Sequence, residues 1–250
     1  MNNNQIEYND NFEFFPLEWD TNYFGVNSAK VILKDIIDEK NQHQILKLCR
    51  YFEFVTILNN NNINENNLWI TYNTKAFLVD INVQFIKNVK ETKDIMEDNI
   101  YILNYYPKQN EILEVARSSF KYSRFFNDPY LETEKAKNIY SYWVECSFNR
   151  EDKYFVTIER DKQIAGFLLF SKDKRNKNAT IELIAVCEKF RGQSIGKKLV
   201  YALEDYCYNN KLSKILVGTQ VNNINAVRFY NSCGFLYKNC NSIYHYWVNR

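Results

Sequence analysis

The chain has 250 residues, 46% of them hydrophobic and 25% charged, with a formal net charge of +2. That content belongs to a globular protein with room for one large domain or two small ones, and excludes a disordered tail. Near balance of charge excludes a broad basic field, so nucleic acid is not an expected partner.

Residues 12–34, FEFFPLEWDTNYFGVNSAKVILK, are two apolar pieces punctuated by Pro16 and Asp20–Asn22, and KVILK reads as a strand. Residues 39–50 read as a helix with Ile45, Leu46 and Cys49 on one face. The run NNNNINENN at 59–67 reads as a loop or tip. FVTIL (54–58), LWITY (68–72) and AFLVDINVQFI (76–86) read as strands, the last alternating cleanly. The expected organisation is an incomplete companion domain over 1–92, a charged linker within 87–99, and a second domain over 98–250.

In that second part NIYILNYY reads as a strand, and EILEVARSSF and KAKNIYSYWVECSF as helices. YFVTIERD and QIAGFLLFS form a hairpin around Asp161-Lys162, and IELIAV (181–186) is a buried strand. The turn EKFRGQS and a helix with apolar spacing at Ile195, Leu199, Ala202, Leu203 and Tyr206 come next. Strand, glycine-bearing turn and helix aim backbone N–H groups and a positive helix end at a phosphate. The strand KILVGTQ, a short helix bearing Asn223, Ala226 and Tyr230, then Gly234-Phe235 and a closing strand IYHYWVNR complete the chain.

These residues resemble the acetyl-CoA signature of the GNAT N-acetyltransferase superfamily. Its first half, R/Q-x-x-G-x-G/A, is matched by Arg191 and Gly196, with Ser194 where the first glycine is usual. Its second half, N-x-x-A-x-x-x-Y-x-x-x-G-F, is matched by Asn223, Ala226, Tyr230, Gly234 and Phe235. The resemblance implies an α/β (α+β) fold, with a mixed central sheet whose fourth and fifth strands splay between flanking helices. PLEWDTNYFGVNSAKV (16–31), FKYSRFFNDPY (120–130), GTQVNNINAVRFY (218–230) and the closing YWVNR are similar to the TDP-fucosamine acetyltransferase family. That likeness implies an acceptor with a nucleotide-linked 4-amino-4,6-dideoxyhexose, dTDP-4-amino-4,6-dideoxygalactose, and a role in surface polysaccharide synthesis.

Transfer from a thioester to an amine needs the reactants juxtaposed, the carbonyl polarised, the ammonium deprotonated and the thiolate reprotonated. The resemblance gives Tyr230 the last task; packing of its helix is the alternative. Arg191, Gly192, Gln193, Ser194, Ile195, Gly196 and Lys197 are then expected to face the pyrophosphate. Val186 would offer pantetheine a strand edge, and Asn223 would bond the same arm or serve as an N-cap. Glu182 lies four residues before Val186 on the same face and is a candidate base, sugar-hydroxyl ligand or structural carboxylate. Ser123, Arg124 and Tyr130 are expected on the acceptor side, where Arg124 could pair with a diphosphate.

Six scattered cysteines without CxxC spacing and only two histidines argue against a metal site. With a polar N-terminus, MNNNQIEYND, and no apolar run near the ~20 residues that span a bilayer, they point to a cytoplasmic protein without membrane insertion. Neither Cys187 nor Cys233 has a nearby histidine in sequence to activate it, so direct attack in a ternary complex is expected. A homodimer is compatible with the sequence. So are two other readings: a GNAT enzyme for another amine, and a non-catalytic acyl-CoA-binding module.

Overall fold

The computed structural model describes residues 6–91, 99–105, 109–148 and 150–250. In chain order the first elements are β1 (Glu7–Tyr8), β2 (Phe12–Pro16), α1 (Glu18–Phe24), β3 (Ser28–Leu33), α2 (Glu39–Cys49) and β4 (Phe54–Asn59). Then come α3 (Asn64–Asn73), β5 (Phe77–Asn88), β6 (Ile100–Leu103), α4 (Gln109–Ser119), α5 (Thr133–Ser147) and β7 (Lys153–Arg160). The chain ends with β8 (Gln163–Asp173), β9 (Asn178–Val186), α6 (Ile195–Asn209), β10 (Lys214–Gln220), α7 (Ile224–Ser232) and β11 (Leu236–Trp247).

These elements form two compact units. One gathers the described residues up to Val83, with Ser123–Ala136 and Asn239–Arg250; the other gathers those of Gln84–Tyr122 and Lys137–Lys238. This differs from a single cut between 92 and 98. Residues 87–91 are not linker, because Val89 N–H bonds the Ser213 carbonyl at 2.9 Å and Lys87 pairs with Glu204 at 2.6 Å. Residues 92–98 of the expected linker lie outside the described residues.

In the first unit β3 pairs parallel with β4, and β2 and β11 flank them antiparallel. Alternation sends Ala29, Val31, Leu33, Val55 and Ile57 to one face, where they meet Ile45, Leu48, Trp69 and Ile70 of α2 and α3 in one core. LWITY is therefore helix, not strand. The buried positions of α3 are Asn66, Trp69 and Ile70, a helical spacing whose first member is polar. Nor is the asparagine run a free loop tip. Asn66 donates to the Asp35 carbonyl at 2.9 Å and accepts from Ile37 N–H at 3.0 Å, while Asn59 donates to Asn67 at 2.8 Å. The other helix absent from the sequence reading, α1, ends where Gly25 adopts φ 74° and bonds back to the Thr21 carbonyl.

In the second unit the strand order is β10-β9-β8-β7-β6, antiparallel except for the β9–β10 pair. Asp161 and Lys162 close the β7–β8 hairpin with φ of 51° and 60°, the left-handed pair that a two-residue turn favours. Helices α4 and α5 cover one face through Ile112, Val115, Ala116 and Val144 against Phe155, Phe167 and Leu169. On β8, a Cβ at Gly166 would stand 2.9 Å from the Ala185 carbonyl oxygen and 3.1 Å from the Ile195 side chain. Glycine there lets α6 close on the sheet. Gly166→Ala is expected to lower stability by about 1–3 kcal/mol, the cost of overpacking, measured by urea unfolding.

Candidate active site

The site begins where two strands part. Strands β9 and β10 are in register only from Asn178↔Lys214 to Ile181↔Val217, although β9 runs to Val186 and β10 to Gln220. Beyond that point Glu182–Val186 and Gly218–Gln220 line a cleft of about 830 Å³. On its other side β9 stays paired with β8 out to Gly166↔Val186. That ladder skips one residue, with Leu169 opposite Leu183 and Phe170 opposite Ile181. Glu182 is the unpaired residue of this bulge, a device that re-aims a side chain.

The parted end of β9 leads through Cys187 and a short 3-10 turn, Glu188–Phe190, to the start of α6. Gly192 has φ 78° and Ser194 φ 60°. The left-handed conformation at Ser194 explains why glycine is the usual residue there. Ser194 is the N-cap of α6 without a side-chain cap bond, and first-turn N–H groups have no intrahelical acceptor. Arg191, Gly192, Ser194, Ile195, Gly196 and Lys197 line the cleft, whereas Gln193 is exposed and not among the lining residues. Gly196 also permits close packing, since a Cβ would meet the Phe229 ring at 3.0 Å.

The opposite wall comes from α7. Asn223 caps it, accepting from Ala226 N–H at 3.2 Å through its amide oxygen, which leaves the amide N–H₂ as a donor. Tyr230 lines the cleft from a buried position, against Phe85, Phe229 and Phe235. Burial, with the nearby Cys233, pushes its phenol above the usual value, so it keeps its proton at neutral pH. Burial likewise raises the Cys233 thiol, the opposite of nucleophile activation. Glu182 is held by Lys153 and by Trp143 Nε1 at 3.2 Å. A base at this position must therefore exchange an ion pair for a proton.

The Acetyltransferase (GNAT) family model matches residues 117–235. N-alpha-acetyltransferase 30 of Schizosaccharomyces pombe is 30% identical over 121 residues, covering 46% of this chain and 74% of that protein. The chain belongs to the GNAT family. Spore coat polysaccharide biosynthesis protein SpsD of Bacillus subtilis is 29% identical over 139 residues, which cover 56% of this chain and 47% of that protein, so the match spans about half of SpsD. The solved GCN5-related N-acetyltransferase of Sphaerobacter thermophilus shares the fold, with a TM-score of 0.60, 12% identity, and coverage of 94% of this chain and 76% of that one. GNAT acetyltransferases take their acyl group from acetyl-CoA. The parted strand edges and free N–H groups of the α6 turn suit its extended pantetheine arm and pyrophosphate.

The three expected acceptor-side residues of this GNAT chain lie in the first unit and do not line the cleft. Ser123 is buried, and its hydroxyl accepts from Phe125 N–H at 3.3 Å. Arg124 donates to Thr56 Oγ1 at 2.9 Å, approaches His245 Nε2 at 3.3 Å and lies 3.8 Å from Asp20. An arginine can only donate, so Nε2 accepts and Nδ1 carries the proton that bonds Asp128 at 2.6 Å. Burial lowers His245 to about 4, in keeping with a neutral ring. Tyr130 is half exposed, packed on Phe77 and Trp247 beneath the Arg250 guanidinium.

Lys30, Thr56 and His245 are direct cross-strand partners, so they stand on one face of the first unit's sheet, opposite the α2–α3 core. Burial lowers Lys30 to about 8 and raises Asp80 to about 6, and it raises Asp20 as well. No spacing in the sequence links Lys30, Thr56 and His245; strand register assembles them. Among the described residues, no group of three or more His, Cys, Asp or Glu is placed to hold a metal, and no helix is long and apolar enough to cross a membrane. All six cysteines are free thiols.

Ser194→Gly is expected to stabilise the protein by about 0.5–1 kcal/mol, the left-handed strain relieved less the entropy cost of glycine. Chemical denaturation of the two proteins measures the difference.

Proposed function

We propose that the protein transfers an acetyl group from acetyl-CoA to the amino group of a nucleotide-linked 4-amino-4,6-dideoxyhexose, in the synthesis of a surface polysaccharide. The observation that carries the transferase reading is the cleft between β9 and β10, closed by the α6 turn at one end and by Tyr230 on its wall. The acceptor class is supported by the likeness of separated stretches to the TDP-fucosamine acetyltransferase family and by the polysaccharide role that SpsD's name records.

In this reading the N–H groups of Gly192–Lys197 hold the pyrophosphate, with Arg191 and Lys197 adding charge. The free edge of Val186 and the amide of Asn223 hold the pantetheine arm. The acceptor nitrogen attacks the thioester carbonyl, forming the C–N bond and breaking the C–S bond. Glu182, directly or through water, takes the ammonium proton, while Tyr230 gives its phenolic proton to the departing sulfur. Lys153 and Trp143 keep the Glu182 carboxylate aimed from the bulge. Ser123, Arg124 and Tyr130 serve the acceptor. The enzyme works in the cytoplasm, where nucleotide sugars and acetyl-CoA meet.

A second reading, acetylation of a peptide N-terminus, is favoured by the match to N-alpha-acetyltransferase 30. The two are separated by following thiol release from acetyl-CoA with nucleotide amino sugars and with short peptides. Turnover of the sugars alone is expected; turnover of the peptides alone would replace the first reading by the second.

The chemistry has its own test. Tyr230→Phe keeps the ring against Phe85 and Phe235 and removes the proton. The expected outcome is unchanged acetyl-CoA affinity with kcat down by about 10²–10⁴, the contribution of a positioned general acid. A variant that keeps most of its turnover, with chemistry shown to be rate-limiting, would return Tyr230 to a packing role.

A further inference from the structure

Glu182 lines the cleft, whereas Lys153, its ion-pair partner, is not among the lining residues. The two carboxylate oxygens are divided between two donors. Trp143 Nε1 bonds Oε2 at 3.2 Å, and the Lys153 ammonium takes Oε1. Lys153 has a second carboxylate beside it, with Asp152 Oδ2 at 3.8 Å from its Nζ. The two carboxylates differ in their surroundings: the Glu182 side chain is 10% exposed and that of Asp152 53%. Arg150 donates to both oxygens of Asp152 at 2.9 Å, and these bonds hold its carboxyl below the usual range, so it stays an anion. Arg150 also interacts with the Glu182 charge. All four residues belong to the second unit, where Arg150, Asp152, Lys153 and Glu182 make a line of alternating charge from the surface to the cleft.

An acceptor that arrives as an ammonium adds one positive charge to this line. Beside Glu182 it would set two cations against one carboxylate with little access to water, where like charges are poorly screened. Proton transfer to Glu182 alone does not relieve this. A neutral Glu182 leaves Lys153, 15% exposed, without its counter-ion. A shift of Lys153 onto Asp152 does relieve it. The lysine stem is flexible and its ammonium is a point charge rather than a fixed fork. The surplus charge then rests on a carboxylate that is half exposed, where water and ions screen it.

We propose that Lys153 is an exchangeable counter-ion of Glu182: it neutralises the carboxylate while the acceptor is absent, and passes to Asp152 when the acceptor ammonium gives its proton to Glu182. This deepens, and rests on, the reading of Glu182 as the group that takes that proton. In the free protein the pairs are Glu182–Lys153 and Asp152–Arg150. With the acceptor in place, an N–H bond of the ammonium breaks and an O–H bond forms at Oε1, the oxygen Lys153 has left. The amine keeps the electron pair and becomes the nucleophile. Glu182 is then neutral, and Lys153 shares Asp152 with Arg150. Trp143 stays on Oε2 and holds the group in place. After the product leaves, the proton passes to water and Lys153 returns. Lys153 acts on the acceptor only through Glu182.

The test is steady-state thiol release from acetyl-CoA by the full chain and its Lys153→Met, Lys153→Arg and Asp152→Asn variants. The acceptor is whichever of the nucleotide amino sugar and the short peptide the parent turns over, and each protein is also melted. Lys153→Met leaves Glu182 to the incoming ammonium alone. The acceptor KM is expected to fall by roughly tenfold, within the usual range of coupling between linked binding events, while the acetyl-CoA KM holds. Lys153→Arg grips Glu182 with a bidentate fork, and Asp152→Asn removes the second carboxylate. Each is expected to lower kcat/KM for the acceptor by roughly tenfold or more. A lysine that only orients Glu182 gives the reverse pattern. Arginine then restores parent kinetics, methionine loses kcat without lowering the acceptor KM, and Asp152→Asn matches the parent. That pattern overturns the exchange and leaves the acetyltransferase reading standing. If Lys153→Met fails to fold, the other two variants, which keep Glu182 paired, decide the question alone. Turnover of neither amine by the parent overturns the acetyltransferase reading and the exchange with it.

Discussion

Backbone hydrogen bonding between β9 and β10 stops four residue pairs after it starts, and the catalytic half of the molecule is arranged around that stop. A parallel pair that continued would bury both edges and leave no cleft. Parting exposes Glu182–Val186 and Gly218–Gln220 as unpaired edges, ready to bond an extended ligand as a strand would. The bulge at Glu182 keeps β9 locked to β8 while that carboxylate is turned to the cleft. Gly166 lets α6 close on the sheet, so the positive end of that helix stands at the mouth of the gap. Lys87 and Glu204, paired at 2.6 Å and largely buried, tie the end of β5 to α6 and hold the helix from the other side.

The first unit applies the opposite rule on its two sheet faces. One face is an ordinary apolar core with α2 and α3. The other carries Lys30, Thr56 and His245 across three strands, with Arg124 bonded to Thr56 and 3.8 Å from Asp20. His245 is neutral and fully hydrogen-bonded between Asp128 and Arg124, so it orders the face without contributing charge.

The legibility of the molecule follows the range of the interactions involved. The second half is readable because its elements are local: β9, a glycine-bearing turn and α6 follow one another, with Gly192 marking the turn and Gly196 the close-packed start of the helix. Asn223, Ala226 and Tyr230 share one face of a short helix, so their spacing carried their placement. In the first half, α3 was hidden because Asn66 occupies its buried stripe and is satisfied by Asp35 and Ile37, partners about thirty residues away. Pro16 and Asp20–Asn22 looked like loop punctuation, although Glu18 and Asp20 open a helix that Gly25 closes. The bulge at Glu182 needs the partner strand to be seen. The Lys30–Thr56–His245 row needs a register that spans 215 positions of sequence. The division into units was unreadable for the same reason, since β11 pairs with β4 rather than with a strand near it in the chain.

We propose that the parted strands and the α6 turn form the acetyl-CoA site. A crystal structure of the protein grown with acetyl-CoA tests it most directly. The pyrophosphate is expected on the N–H groups between Gly192 and Lys197, with pantetheine along the free edge of β9 toward Tyr230. Acetyl-CoA bound with its pyrophosphate anywhere else, or with its arm outside the gap between β9 and β10, would contradict it.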